Sequence, residues 1–83
     1  MADPDIAQRL ERLEQVLREC GQPGWADRLS DGVAGGATGT ESLFRVGAVL
    51  ADLRRSGVAR AIGCEPEVKS LAASIDRTVK RGL

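Results

Sequence analysis

The chain contains no histidine and no tyrosine, and only one phenylalanine and one tryptophan among its 83 residues. Without histidine the commonest general acid or base is missing, and so is the imidazole of ordinary zinc sites. Two cysteines, Cys20 and Cys64, complete neither a structural zinc site nor the disulfide framework of a small secreted domain. No run approaches the roughly 20 apolar residues of a membrane span. The opening MADPDIAQRLERLEQ carries acids where a secretion signal needs bases. Strand-like alternation of apolar and polar residues is absent throughout. Together these absences predict a cytoplasmic, all-α protein with reduced thiols that is not an enzyme. They leave no metal, no cofactor, no membrane contact and no small-molecule substrate.

What remains is a thin apolar inventory. Nine Leu, seven Val, three Ile and one each of Met, Phe and Trp are the large apolar side chains, with eleven Ala and ten Gly as small ones. A single domain of this size buries only about 60 to 65% of its unfolded surface. Small domains of this kind often complete their burial against a partner.

Periodicity gives the elements. Asp3-Pro4-Asp5 supplies an N-cap, a proline suited to the first turn and an acid for the helix dipole. Ile6, Leu10, Leu13, Leu17 and Cys20 then recur on one face, which places Cys20 in the core. Asp5 with Arg9 and Glu14 with Arg18 stand as i, i+4 pairs. Gly21 and Pro23 end this helix. A shorter second helix, residues 23 to about 31, carries Trp25 and Leu29, with Trp25 sealing a small core. The third helix, residues 39 to 56, buries Leu43, Val46, Leu50 and Leu53, with Phe44, Gly47 and Val49 beside that stripe. Gly47 inside it costs roughly 1 kcal/mol relative to alanine, so it is read as a close approach of another helix. A short piece at 58 to 62 follows, then a last helix opened by Glu65-Pro66 and carrying Val68, Leu71, Ala72, Ile75 and Val79. The expectation is one compact bundle, residues 1 to 83, of three main helices with one or two short helical segments and a glycine-rich hinge at 32 to 39.

The stretch GGATGTES, residues 35 to 42, resembles a phosphate-binding loop, but Thr40 and Glu41 stand where a Walker A loop needs Lys and then Ser or Thr. No strand precedes it, as a dinucleotide fingerprint requires. Gly36 to Gly39 matches the G-x-x-G of a KH clamp, which belongs to a sheet-bearing domain. Thr38 and Glu41 fit a capping box instead, so the glycines are read as a hinge and Thr38 as a helix cap.

Charge is balanced overall and divided along the chain. Residues 1 to 43 hold four arginines against eight acids, a net of −4, and residues 44 to 83 hold eight bases against four acids, a net of +4. Either the two halves neutralise one another, or the second half offers a basic face.

Two short resemblances add to this. VARAIGCEPEVKSL, residues 58 to 71, resembles a helix-turn-helix in Ala59, Ile62 and Gly63, although Val68 and Leu71 fall one residue early. That resemblance implies DNA contacts from Lys69, Ser70, Arg77, Lys80 and Arg81. Glu65 and Glu67 would then face a polyanion. LRECGQPGWADRL, residues 17 to 29, is similar to certain small uncharacterised bacterial helical domains over about the first 31 residues. This implies a compact helical module and no particular chemistry.

The sequence therefore points to a protein-binding module of accessory, regulatory or immunity type, whose partner is another protein or a second copy. Val16, Phe44, Val49, Arg54 and Arg55 are its candidate contacts. Nucleic-acid binding through residues 58 to 81 is the alternative, and a thiol reaction at Cys64 comes third.

Overall fold

The computed structural model describes residues 4–34 and 39–82. Five helices follow one another: α1 (Pro4–Glu19), α2 (Pro23–Ala34), α3 (Gly39–Ser56), α4 (Val58–Ala61) and α5 (Glu65–Gly82). No strand occurs among the described residues. The four longer helices form a ring in which α1 contacts α2 and α5, and α3 contacts α2 and α5. The three main helices are present as expected, and the single turn of α4 is the short piece. The expected short second helix runs three residues beyond position 31, to Ala34, and becomes a full wall of the bundle.

One apolar row from each long helix fills the centre. Ile6, Leu10, Leu13 and Leu17 come from α1, Ala26 and Leu29 from α2, Val46, Leu50 and Leu53 from α3, and Val68, Leu71, Ile75 and Val79 from α5. Ala59 of α4 closes one end. Trp25 is half-buried against this core, and the Arg28 guanidinium covers its ring at 4.6 Å from the centroid. Gly32 sits at a tight contact between α2 and α3. A β-carbon there would lie 3.3 Å from Val46 Cγ2, whereas one at Gly47 would meet nothing nearer than Ile75 Cγ2 at 3.9 Å. The close approach expected at Gly47 therefore occurs at Gly32, between α2 and α3.

The helix ends explain the sharp turns. Gly21, with φ of 78°, ends α1: its amide donates to the Arg18 carbonyl at 3.2 Å, and that of Gln22 to the Leu17 carbonyl at 2.7 Å. This is the paired pattern of a Schellman cap, which the left-handed glycine permits. Gly63 repeats it after α4, with Cys64 N donating to Ala59 O at 2.9 Å. At the end of α3 a side chain intervenes. Ser56 Oγ donates to Leu53 O at 2.6 Å and accepts from Val58 N at 3.1 Å, relaying the bond that the backbone would otherwise make.

Polar links tie neighbouring walls together. Arg9 crosses from α1 to α5, donating to Glu67 Oε1 at 3.2 Å, Ser74 Oγ at 3.2 Å and Ser70 Oγ at 2.8 Å. Arg18 does not pair with Glu14 as the i, i+4 spacing suggested; it pairs with Asp27 of α2 at 3.0 Å. Ser42 Oγ donates to Val33 O at 3.1 Å, joining the end of α2 to the start of α3. Thr38 and half of the expected hinge, residues 35–38, lie outside the described residues. Glu41 accepts from Arg45 Nη2 at 3.3 Å.

Candidate functional site

The ring leaves an open groove between α3 and α5. Their short connection makes them antiparallel neighbours, and the groove between them has a volume of about 290 Å³. Its lining is mostly apolar: Leu43, Phe44, Gly47 and Ala48 from α3, with Ala72, Ile75, Asp76 and Val79 from α5. Leu43 and Ala72 are half-buried, Ile75 and Val79 form the floor, and Phe44 stands on the rim 55% exposed. Fully burying a side chain of this type yields about 1.5 to 3 kcal/mol, of which the fold gains only part at Phe44.

Lacking a side chain, Gly47 leaves space between Phe44 and Ile75, where a β-carbon would make only ordinary contact with Ile75 Cγ2 of α5. The helical period of 3.6 residues continues the α3 rim from Phe44 through Ala48 and Ala51 to Arg55, and the α5 rim through Lys69, Ala73, Asp76 and Lys80. All eight of these are surface positions; small side chains dominate the middle and charges the ends.

The electrostatics of the rims is mostly basic. Asp76 is held by Lys80 at 3.1 Å, and Arg55 by Asp52. Asp52 also accepts from Arg28 of α2 at 2.9 Å. Hydrogen bonds from Arg55, then from Arg28, hold its carboxyl below the usual carboxylate range. Among the described residues no acid pairs with Arg54 or Lys69.

Of the sequence-selected contacts, Phe44 and Arg55 share this surface. Arg54 lies beside Arg55 at the α3 end. Val49 faces the other way, half-buried in a second, shallower depression with Arg28, Asp31, Gly32 and Arg45. Val16 is half-buried on α1 and belongs to neither. Leu43, Ala48, Ala72, Ile75, Asp76 and Val79 were not singled out as contacts. Their common signal is small or apolar residues flanking Gly47, which acquires meaning only once α5 is known to pack there.

The residues read for DNA contact divide over α5. Lys69 and Lys80 are exposed about one helical turn from the lining residues Ala72 and Asp76, Arg77 donates to Ser74 at 3.3 Å, and Ser70 accepts from Arg9. Arg81 is exposed in the last turn. The first helix of that motif is the four-residue α4, and Glu65 and Glu67 occupy the first turn of α5.

The cysteines differ from their sequence assignment. Cys20 is exposed in the turn after α1 rather than buried, because the Schellman cap at Gly21 turns the chain away before the stripe can continue. Cys64 packs half-buried against the core, and burial, followed by the nearby Cys20, pushes its thiol up from the ordinary range. A raised thiol is a weak nucleophile at neutral pH. No group of three or more potential metal ligands occurs among the described residues, and none of their helices is long and apolar enough to cross a membrane. No protein-family model, curated protein or solved structure matches this chain.

Proposed function

We propose that this protein is a non-enzymatic binding module of accessory, regulatory or immunity type, which engages another protein through the α3/α5 groove. The observation that carries this reading is Phe44, the one aromatic side chain more than half exposed among the described residues, on the rim of an apolar groove. Aromatic anchors beside such pockets dominate binding energy in protein interfaces. Arg54 and Arg55 supply polar contacts at one end of the same surface.

Affinity capture from native lysate after nuclease treatment tests it, comparing the natural chain with Phe44→Asp. Because Phe44 contributes little to the core, the variant keeps its helical circular dichroism and loses the retained protein. Retention unaffected by the substitution, or retention abolished by nuclease alone, removes the proposal.

A further inference from the structure

The division of charge along the sequence becomes a division in space. The described part of α1 and α2 carries four arginines and six acids, a net of −2, whereas residues 39–82 carry eight bases and five acids, a net of +3. Since α1 and α2 are adjacent walls, as are α3 and α5, the acidic and basic layers lie on opposite sides of the ring. The groove belongs to the basic layer. Where α3 finishes and α5 starts, Asp52 is held by Arg55 and Arg28 and Glu67 by Arg9, which leaves Arg54 and Lys69 without an acid partner among the described residues; at the other end Lys80 holds Asp76, Arg45 holds Glu41, and Arg81 is exposed. The groove itself is lined over residues 43–48 and 72–79, about 12 Å of helix, and the 18-residue α3 and α5 carry its rims on to about 27 Å.

We infer that the occupant of this groove is an acidic amphipathic helix of a partner protein, its apolar face over Phe44, Gly47 and Ala72 and its carboxylates against Arg54, Lys69 and Lys80. This rests on the protein-binding reading above and specifies its partner. The open floor at Gly47 and the small residues Ala48, Ala51, Ala72 and Ala73 let a helix backbone approach closely, which favours a rod over an irregular loop. Apolar lining and an unpaired rim base are matched by a helix with both features, whereas a nucleic-acid backbone leaves the apolar floor uncovered. The acidic α1/α2 layer of a second copy exposes Val33 as its one large apolar side chain among the described residues, which is little to set against the floor.

The test is a displayed library of 18-residue helices in which one face varies among Leu, Ile, Val and Phe and the opposite face admits Glu, Gln and Lys equally. Selection on the folded protein enriches Glu on the polar face. Resonances of α3 and α5 shift when the selected peptide is added. Phe44→Asp weakens the best binder at least about tenfold, as expected of an interface anchor, and Lys69→Glu together with Arg54→Glu reverses the preference toward Lys. Neutral or basic winners that still map to α3 and α5 overturn the acidic-helix inference while leaving protein binding at the groove intact. Shifts confined to α1 and α2 overturn it as well. If no helix is selected and a short DNA duplex alone perturbs α5, both this inference and the protein-binding proposal fall.

Discussion

Gly32 and Gly47 sit in the interiors of neighbouring helices, yet the space over their α-carbons differs. At Gly47 an added methyl meets only ordinary contact with Ile75 Cγ2, so alanine recovers helix propensity, about 0.5 to 1 kcal/mol. At Gly32 the methyl meets Val46 Cγ2 at 3.3 Å, and Val46 is 1% exposed and β-branched, with little freedom to move aside. Overpacking of this kind costs about 1 to 3 kcal/mol, enough to cancel the propensity gain or exceed it. Urea denaturation should therefore show Gly47→Ala more stable than the natural chain and Gly32→Ala no more stable. The reverse order would mean that the helices pack differently from this structure. Gly47→Ala also narrows the groove, so its ligand affinity should drop while its stability rises, a separation that a purely structural glycine does not produce.

At the scale of elements, Asp52 is the link whose contribution depends on pH. It joins Arg55 of its own helix to Arg28 of α2, and those hydrogen bonds, Arg55 first, depress its carboxyl. A carboxyl with a folded pKa below its unfolded value stabilises the fold above the unfolded pKa, about 3.9 for Asp. That contribution disappears as pH falls through the lower folded value. Glu14 acts in the opposite sense: burial, opposed by Arg18 and aided by Glu11, raises its carboxyl, so it favours the fold as pH drops through that raised value. The difference between natural chain and Asp52→Asn cancels Glu14 and isolates the link. Thermal melts should give a gap in Tm near neutral pH that closes below about pH 4, where Asp52 begins to protonate in the unfolded chain. A gap that persists unchanged into acid would assign the effect to something other than this charge.

The same scale shows what the sequence could disclose. Buried rows Leu10-Leu13-Leu17, Val46-Leu50-Leu53 and Val68-Leu71-Ile75 follow from the 3.6-residue period, and Gly21 and Gly63 announced their turns, because both signals are local. The partners of Arg9 and Arg18 were not legible. Their choice of Glu67 and Asp27 depends on which walls become neighbours. Cys20 continued a stripe by spacing alone, and only the cap geometry shows that the helix has ended one residue earlier. Phe44 and Arg55 could be named from composition and position; the groove between them could not, since half of its lining comes from α5.

At the scale of the whole molecule, two oppositely charged layers lie within an envelope of 35 × 22 × 20 Å. Whether one molecule senses the layers of another is set by the screening length, about 30 Å at 0.01 M salt and about 8 Å at 0.15 M. In the dilute case the field of each layer extends across a distance comparable with the molecule's long axis, and a net charge of zero removes the general repulsion that keeps proteins apart. The acidic layer of one copy then attracts the basic layer of the next. Such a head-to-tail contact uses two different surfaces, so it does not close into a dimer. Light scattering should accordingly give a negative second virial coefficient at about 0.01 M salt that rises to zero or above by about 0.15 M. Lys69→Glu with Arg54→Glu lowers the net charge and spoils the basic layer, and should abolish the attraction, whereas Phe44→Asp should leave much of it because the long-range field hardly depends on one rim residue. Attraction that survives at the higher salt and vanishes in Phe44→Asp would instead identify a self-associating apolar groove, and the occupant would then be a second copy rather than an acidic helix.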